Sequence, residues 1–518
     1  MAGTAQSLPA KELAVLDRLI ECATLRAFPL PQAVTRALNS APVVRFRGFL
    51  ERRELWIFRA IALICCVLTV WLFAPGYMSL DSVRQLEEAR SLQFTNMHPV
   101  SMALLWALTD RIVPGPLGML VVINLLFWFG LAVFFRTRPW PLWLRALAIP
   151  LLGFFPPILC LSGAVWKDTL MQAMLLGGLG CWLNSLSATT SRRRIAWLCG
   201  AGFLMVFAMT ARHNAIGSAY AFVALALFSA PLLTRQHLLV RLFLAGVVAL
   251  PLTLLSWKAA QAALNTISQK GEFWAMSATF DLVGISVRTG RIEIDPETRI
   301  VTPGATIRDV RRAYNPFEHL QLYRCVKFRR NRPCRTILHR DHDAASLDAV
   351  AKNWRRVVLA NPKEYLQHRA AVYALAIGLT DHGAKIWYLN PRGLANDYPL
   401  SPRGKALLKW FSSLHSSPIF IVWHYLILAF VCLIAAIVFL YRTGQALPLA
   451  LSLSSVGYAA SIFFGTGAPD YRYSEWSVMA TLLTLFSLFA SWSKHPAPVA
   501  TEPISPSGSV EMSPPTTA

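Results

Sequence analysis

The chain alternates between long apolar blocks and shorter polar connections. A helix needs about 20 apolar residues to cross the hydrocarbon core of a bilayer, where lipid offers the backbone no hydrogen-bond partner. Ten blocks approach that length, at residues 55–74, 116–135, 146–163, 169–186, 195–211, 215–233, 239–256, 418–440, 446–464 and 476–492. We therefore predict an all-α polytopic membrane protein with about ten transmembrane helices.

Between the seventh and eighth blocks lies a hydrophilic stretch, residues 257–417. A strand-like apolar run at 280–286 and turn-rich sequence after it predict a first, mixed part. Residues 344–359 and 363–379 show helical patterns separated by Asn361 and Pro362, which predicts two helices. The stretch is long enough to cross the membrane regardless of its charge, so we predict a mixed extracytoplasmic domain.

Arginines flanking the blocks predict the orientation, because short loops rich in Lys and Arg stay in the cytoplasm. They are Arg52 and Arg53 before the first block, Arg136 and Arg138 after the second, Arg192, Arg193 and Arg194 after the fourth, Arg235 after the sixth and Arg442 after the eighth. All of them agree with both termini in the cytoplasm. We expect a multi-pass protein of a bacterial inner membrane.

This topology divides the chain into five parts. They are a cytoplasmic amphipathic segment at 1–54, helices 1–7 at 55–256 with a first outer loop at 75–115, the extracytoplasmic domain at 257–417, helices 8–10 at 418–493, and a disordered cytoplasmic tail at 494–518. The amphipathic prediction rests on apolar residues at helical spacing, from Leu13 to Ala23, and the tail prediction on its richness in Pro, Ser and Thr.

Composition changes the picture in one respect. Of 518 residues, 55% are hydrophobic and 15% are charged, which excludes a disordered protein and an ordinary soluble enzyme. The net charge of +23 alone could suggest nucleic acid, but residues 257–417 hold 25 basic and 13 acidic side chains, and much of the remaining excess is loop arginine. We therefore expect membrane lipids as partners and no nucleic acid.

Two of the nine cysteines, Cys325 and Cys334, fall in the predicted extracytoplasmic domain. In an oxidising compartment they could form a disulfide. Two unrelated free thiols are the alternative, since spacing alone cannot show disulfide geometry.

Polar clusters interrupt the apolar chain at what the topology makes its outer face. The clusters contain Asp81, Gln85 and His98 in the first loop, then Trp166, Lys167 and Asp168, then Arg212, His213 and Asn214, and finally Asp470, Tyr471, Arg472 and Tyr473. Each has an ordinary explanation, such as a helix cap, an interfacial aromatic or a cation that binds lipid headgroups. Their location on one predicted face favours a shared function.

Together the clusters supply a carboxylate, a histidine and three cations. Displacing a phosphate from a sugar requires a base for the attacking hydroxyl and cations for the leaving phosphate. A donor phosphate anchored by a polyprenyl tail would lie at this depth. No nucleotide-binding motif of the type GxxxxGK[ST] is present.

At these residues the chain resembles the GT-C superfamily of polytopic glycosyltransferases, in particular its bacterial members. The resemblance spans residues 55 to about 490. It rests on Asp81, Gln85, His98 and Pro99 with the helix returning through Trp106, on the clusters at 165–168 and 212–214, on Trp354, Asn361, Pro362, Tyr365 and Arg369, and on the cluster at 470–473.

The resemblance implies inverting transfer of a sugar from a polyprenyl-phosphate donor to a lipid or glycan acceptor, with Asp81 as general base. From the chemistry we expect His98 to orient the acceptor or Asp81. We expect Lys167, Arg212 and Arg472 to hold the donor phosphate. The remaining cluster residues would line the substrate groove: Gln85, Trp166, Asp168, His213, Asn214, Asp470, Tyr471 and Tyr473.

Many members of that superfamily carry paired acids in the first loop, whereas Asp81 is followed by Ser82 and the next acids are Glu87 and Glu88. We favour a mechanism without metal or other cofactor, with a divalent metal as the less favoured alternative. Three competing functions stay open. They are an O-antigen-type ligase or polymerase, a lipid or glycan transporter or flippase, and a structural subunit without activity.

Overall fold

The structure is a computed structural model that describes residues 53–269, 273–317, 322–323, 336–339, 344–380, 398–399, 401–414, 416–468 and 470–492. Contacts divide the chain into two units, Met1–Ile57 and Phe58–Ala518. The predictions for the N-terminal segment, the C-terminal tail, Cys325 and Cys334 lie outside the described residues.

The fold is mostly helical. In chain order the helices are α1 (Glu54–Phe73), α2 (Leu80–Ser91), α3 (Val100–Ile112), α4 (Leu117–Arg136), α5 (Leu142–Gly153), α6 (Pro156–Ser162), α7 (Lys167–Leu186), α8 (Ser191–Ala211), α9 (Ala215–Phe228), α10 (Leu238–Asn265), α11 (Phe273–Thr289), α12 (Ile307–Ala313), α13 (Ala344–Ala360), α14 (Pro362–Ala376), α15 (Pro402–Leu414), α16 (Val422–Thr443), α17 (Leu447–Gly465) and α18 (Glu475–Trp492). Short 3₁₀ turns are formed by Pro296–Thr298, Pro418–Phe420 and Tyr471–Ser474.

Six described helices are long and apolar enough to cross a membrane: α1, α4, α8, α10, α16 and α17. A seventh candidate is the pair α5 and α6, which meet at an angle of 63°. Each of the ten apolar blocks coincides with a helix or with this bent pair. The prediction of an all-α membrane protein is therefore confirmed, whereas the number of about ten transmembrane helices stays a prediction.

Helix α7 lies at the centre of the bundle and packs against α4 and α8. It is buried on nearly all sides. Gly130 of α4 makes the closest approach, since a Cβ on that residue would collide with the backbone oxygen of Leu176 in α7. Small residues allow such contacts between membrane helices. The tight packing holds α7 in the bundle, and the N-terminal end of this helix carries Lys167 and Asp168.

Helices α17 and α18 flank the turn Tyr471–Ser474 and are joined by buried hydroxyl groups. The Ser455 hydroxyl donates to the Ser477 carbonyl at 2.9 Å and lies 2.8 Å from the Thr481 hydroxyl. Hydrogen bonds of this kind help to hold helices together where water is absent. They hold the first turns of α18 against the middle of α17.

The described part of residues 257–417 is largely helical, so the predicted strand-like run at 280–286 is wrong. These residues lie inside α11, where Phe280, Leu282, Val283 and Ile285 are all buried. A short run of buried apolar residues looks alike in a strand and in a helix enclosed on several sides. The two predicted helices after it are confirmed as α13 and α14.

A two-stranded parallel sheet joins the first loop to this region. Strand β1 (Phe94–Thr95) pairs with β2 (Ser268–Gln269), with Phe94 opposite Ser268. Strand β2 directly follows the long helix α10, so the pairing holds the end of that helix beside the first loop.

Candidate active site

The segment before α2 is hydrogen-bonded to the segment before α7. Tyr77 forms a parallel bridge with Ala164, and its N–H donates to the Gly163 carbonyl at 2.7 Å. The Ser82 hydroxyl donates to the Val165 carbonyl at 2.8 Å. The bridge therefore brings the N-terminal ends of α2 and α7 side by side.

Helix α2 begins at Leu80, with Ser79 as its N-cap in a capping box with Ser82. The Ser79 hydroxyl accepts the Ser82 N–H, so Ser79 and not Asp81 supplies the helix cap that would be the ordinary explanation of the first cluster. The Asp81 side chain is free of that role. As an acid in the first turn, it is stabilised by the helix dipole.

The fourth cluster approaches from the turn Tyr471–Ser474. Asp470 precedes this turn and accepts a hydrogen bond from the Arg472 N–H at 3.2 Å. Tyr471 is fully buried, and its hydroxyl donates to the Pro157 carbonyl at 3.2 Å. The buried tyrosine anchors the turn and leaves the Arg472 side chain to point toward α2 and α7.

Arg472 is the centre of the cluster. Its Nε lies 2.7 Å from Asp470 Oδ2 and 3.9 Å from Asp168 Oδ2, and its Nη1 lies 3.5 Å from Asp81 Oδ2. The guanidinium also lies over the Trp166 ring, 4.8 Å from its centroid. One side chain thus contacts three of the four clusters.

Arg212, the residue that follows α8, completes the group. Its Nε lies 2.8 Å from Asp168 Oδ1, and its guanidinium lies 4.7 Å from the centroid of the Tyr473 ring. Asp168 is fully buried and therefore serves as the shared counterion of Arg212 and Arg472. Burying these charges is tolerable only because they are paired.

Asp81 is the most open carboxylate of the cluster, with 36% of its side chain exposed against 0% for Asp168 and 3% for Asp470. Burial raises the pKa of Asp81, but the charges of Lys167 and Arg472 outweigh that effect and leave it below its ordinary value. Asp81 is therefore ionised at neutral pH and accessible, as a base requires. Burial has the opposite result at Asp470, whose pKa it raises to about 7 despite the nearby Arg472.

His98 lies close enough to Asp81 for the two side chains to interact electrostatically. The residue is 7% exposed, and neither ring nitrogen has a hydrogen-bond partner among the described residues. Burial and the charge of Lys167 lower the pKa of His98 to about 4, so the ring is neutral at physiological pH. A buried imidazole without a partner is costly unless another group satisfies it.

Other predicted residues occupy supporting positions. Gln85 is buried and donates to the Asp81 carbonyl at 3.1 Å. Trp166 is also buried, and its Nε1 donates to the Ser79 hydroxyl at 2.9 Å. The ring of His213 lies 5.5 Å from that of Trp257 in α10. Asn214 is the N-cap of α9 and lies beside Gly465.

Sequence reasoning missed Glu475, the first residue of α18. Its side chain is buried and interacts electrostatically with Asp168 and Arg212. Its position one residue beyond the 471–474 turn, at the same end of the bundle, could have indicated it. Sequence reasoning also missed a second buried ionic group around Asp281, described below.

Glu88, one of the two acids that follow Asp81 in the first loop, is engaged elsewhere. Glu88 Oε1 accepts hydrogen bonds from the Thr95 hydroxyl at 2.6 Å and from the Thr95 N–H at 3.3 Å. Glu88 thus secures β1 rather than pairing with Asp81. Across the described ranges, no group of three His, Cys, Asp or Glu side chains is arranged to hold a metal ion. Metal independence stays a prediction.

Comparison with known proteins gives no relative: no family model, curated protein or solved structure matches the chain. Any hypothesis about the function of the chain therefore depends on the geometry of this cluster.

Proposed function

We propose that the chain is a membrane glycosyltransferase that moves a sugar from a polyprenyl-phosphate donor to a lipid or glycan acceptor of the cell envelope. The observation that carries the proposal is the accessible Asp81 carboxylate, 3.5 Å from the Arg472 guanidinium at the edge of a buried ionic cluster. Transfer of a sugar from a phosphate to a hydroxyl requires a base for the attacking hydroxyl and a cation for the leaving phosphate, and the cluster supplies both.

In this mechanism Asp81 removes the proton from the acceptor hydroxyl as that oxygen attacks the anomeric carbon. The carbon–phosphate oxygen bond breaks on the opposite face, which inverts the configuration, and the electron pair leaves with the phosphate. Lys167 and Arg472 stabilise the charge on that phosphate. The neutral ring of His98 orients the acceptor hydroxyl through one of its free ring nitrogens.

The finer topology belongs to the same proposal. Ten spans with both termini in the cytoplasm would place the cluster on the periplasmic face of a bacterial inner membrane. The polyprenyl chain would remain in the bilayer while its phosphate reaches the cluster. Lys167, Arg212 and Arg472 lie at the ends of helices rather than at their middles, which supports a position near a membrane surface.

The decisive test is Asp81→Asn in a strain without the chromosomal copy, with envelope glycolipids compared by mass spectrometry. We expect the transferred sugar to disappear, since losing a general base costs about 10²–10⁴-fold in rate. Glu87→Gln is the matched control, because Glu87 is exposed on the same helix. An unchanged glycolipid profile in Asp81→Asn, with normal protein level, would remove Asp81 as the base.

A further inference from the structure

A second buried ionic group lies among α11, α13 and α14. The carboxylate of Asp281 receives both arms of the Arg369 guanidinium, with Nε 2.8 Å from Oδ1 and Nη2 2.8 Å from Oδ2. Trp354 Nε1 donates to the same carboxylate at 2.9 Å, and His368 Nε2 lies 3.4 Å from it. Asp281, His368 and Arg369 are each at most 2% exposed.

The third nitrogen of Arg369 leaves this group and reaches the bundle. Its Nη1 donates to the Thr466 carbonyl at 2.9 Å. Thr466 is the C-cap of α17, at the end of the helix where carbonyls lack intrahelical partners. A cation is favourable at that end of a helix. Arg369 therefore caps α17 from a helix of the hydrophilic region.

From Thr466 a short run of hydrogen bonds leads to the candidate site. The Thr466 hydroxyl donates to the Ala468 carbonyl at 2.8 Å, and the Asp470 N–H donates to the same carbonyl at 3.0 Å. Asp470 in turn holds Arg472 at 2.7 Å. Because Thr466, Ala468 and Asp470 are all buried, water cannot replace these partners.

We infer that Arg369 is a positioning residue that fixes the turn Tyr471–Ser474, and with it Arg472, by binding the Thr466 carbonyl while Asp281 holds its guanidinium. Trp354 and Asp281 act through Arg369. The effect of Arg369 on the position of the turn follows from these contacts, and only the importance of that position for catalysis rests on the proposed function.

Lysine could not fill this position. A guanidinium offers a planar set of donors that binds a carboxylate with two nitrogens and still presents a third, whereas an ammonium is a point charge. Replacing Arg369 would also leave the Asp281 carboxylate buried without its cation. Arginine is therefore the residue type that can bind the Asp281 carboxylate and the Thr466 carbonyl at the same time.

The test is hydrogen–deuterium exchange of the full-length protein in lipid nanodiscs, read by mass spectrometry on peptides covering 470–477. We expect Arg369→Gln to speed exchange there about tenfold, because a hydrogen bond to a charged group is lost from the segment that leads into the turn. Phenylglyoxal modification of Arg472, whose side chain is only 13% exposed, should rise in parallel.

Arg288→Gln is the matched control. Arg288 Nη1 donates to the Tyr314 hydroxyl at 3.2 Å and its Nη2 to the Gln367 carbonyl at 3.2 Å, so it supports the same helices without touching residue 466. We expect it to leave exchange at 470–477 and Arg472 reactivity at wild-type levels.

The inference fails if Arg369→Gln speeds exchange only within 362–376. Where that variant does not accumulate, Arg369→Lys takes its place. We expect a smaller but measurable increase at 470–477, and a wild-type rate in Arg369→Lys overturns the inference. Exchange needs no substrate, so this outcome is independent of the glycolipid result for Asp81→Asn.

Discussion

The role of the buried Asp168 carboxylate as counterion of Arg212 and Arg472 can be tested by removing its charge. Asp168→Asn keeps the shape of the side chain but leaves Arg212, 2.8 Å away, without its carboxylate in a position where Asp168 is fully buried. Breaking a buried ion pair by removing one partner costs roughly 3–5 kcal/mol, most of it from the charge left unpaired. We expect this variant to be among the least stable of single changes to the cluster.

Thermal unfolding in one detergent, followed by tryptophan fluorescence, provides the assay. Asp348→Asn is the control, because the Asp348–Lys352 pair is equally short at 2.6 Å but 64% and 76% exposed. Screening by water makes such pairs nearly irrelevant to stability. We expect a clear fall in midpoint for Asp168→Asn and no measurable change for Asp348→Asn.

The double variant Asp168→Asn with Arg212→Gln separates charge from shape. Removing the guanidinium as well eliminates the unpaired charge, so the loss should be smaller than the sum of the two single losses. Equal midpoints for Asp168→Asn and Asp348→Asn, or strict additivity in the double variant, would refute the assignment of Asp168 as the shared counterion.

Three further predictions follow from other features. Burial raises the pKa of Asp470 from 3.8 to about 7, so the stability that its protonated form contributes is complete below about pH 4 and is lost as the pH rises through about 7. Unfolding midpoints of the wild type should therefore fall between pH 5 and 8, whereas those of Asp470→Asn should stay flat. Parallel curves for the two proteins would contradict this. Gly130→Ala should lower the unfolding midpoint through a clash costing about 1–3 kcal/mol. Gly202→Ala should not, because a Cβ on Gly202 would meet no other atom within 4 Å. The reverse order of midpoints would exclude close packing of α4 on α7. With the nine native cysteines replaced by serine, a membrane-impermeant thiol reagent should label Glu87→Cys only from outside and Arg193→Cys only from inside, and any other pattern breaks the proposed topology.

The helices of the bundle were predictable because a membrane imposes a long and uniform signal. All ten apolar blocks appear as helices or as the bent pair, although α9 spans only 14 residues against the 19 of its block. The run at 280–286 failed for the opposite reason. It is short and buried, so periodicity could not separate a strand from the middle of α11.

That the four clusters lie together could be predicted, because the topology puts them at the same end of the bundle. Which side chains form ion pairs with one another could not be predicted. The contacts of Arg472 with Asp81 and Asp168 join residues several hundred positions apart and depend on how α2, α7 and α17 pack. Arg369 illustrates the same limit. It stood out in the sequence, yet its partners Asp281 and Thr466 lie in separate segments that only the fold brings together.

The central position of Arg472 bears on the order in which the protein is made. Residues are synthesised from the N-terminus, so Asp81, Asp168 and Arg212 leave the ribosome and enter the membrane well before the turn that carries Arg472. A nascent chain that stops after α17 would hold Arg212 against Asp168, but its Asp81 would still lack the guanidinium that it contacts in the finished protein. Completion of the cluster is therefore a late event in biogenesis, because the turn that carries Arg472 follows α17 in the chain.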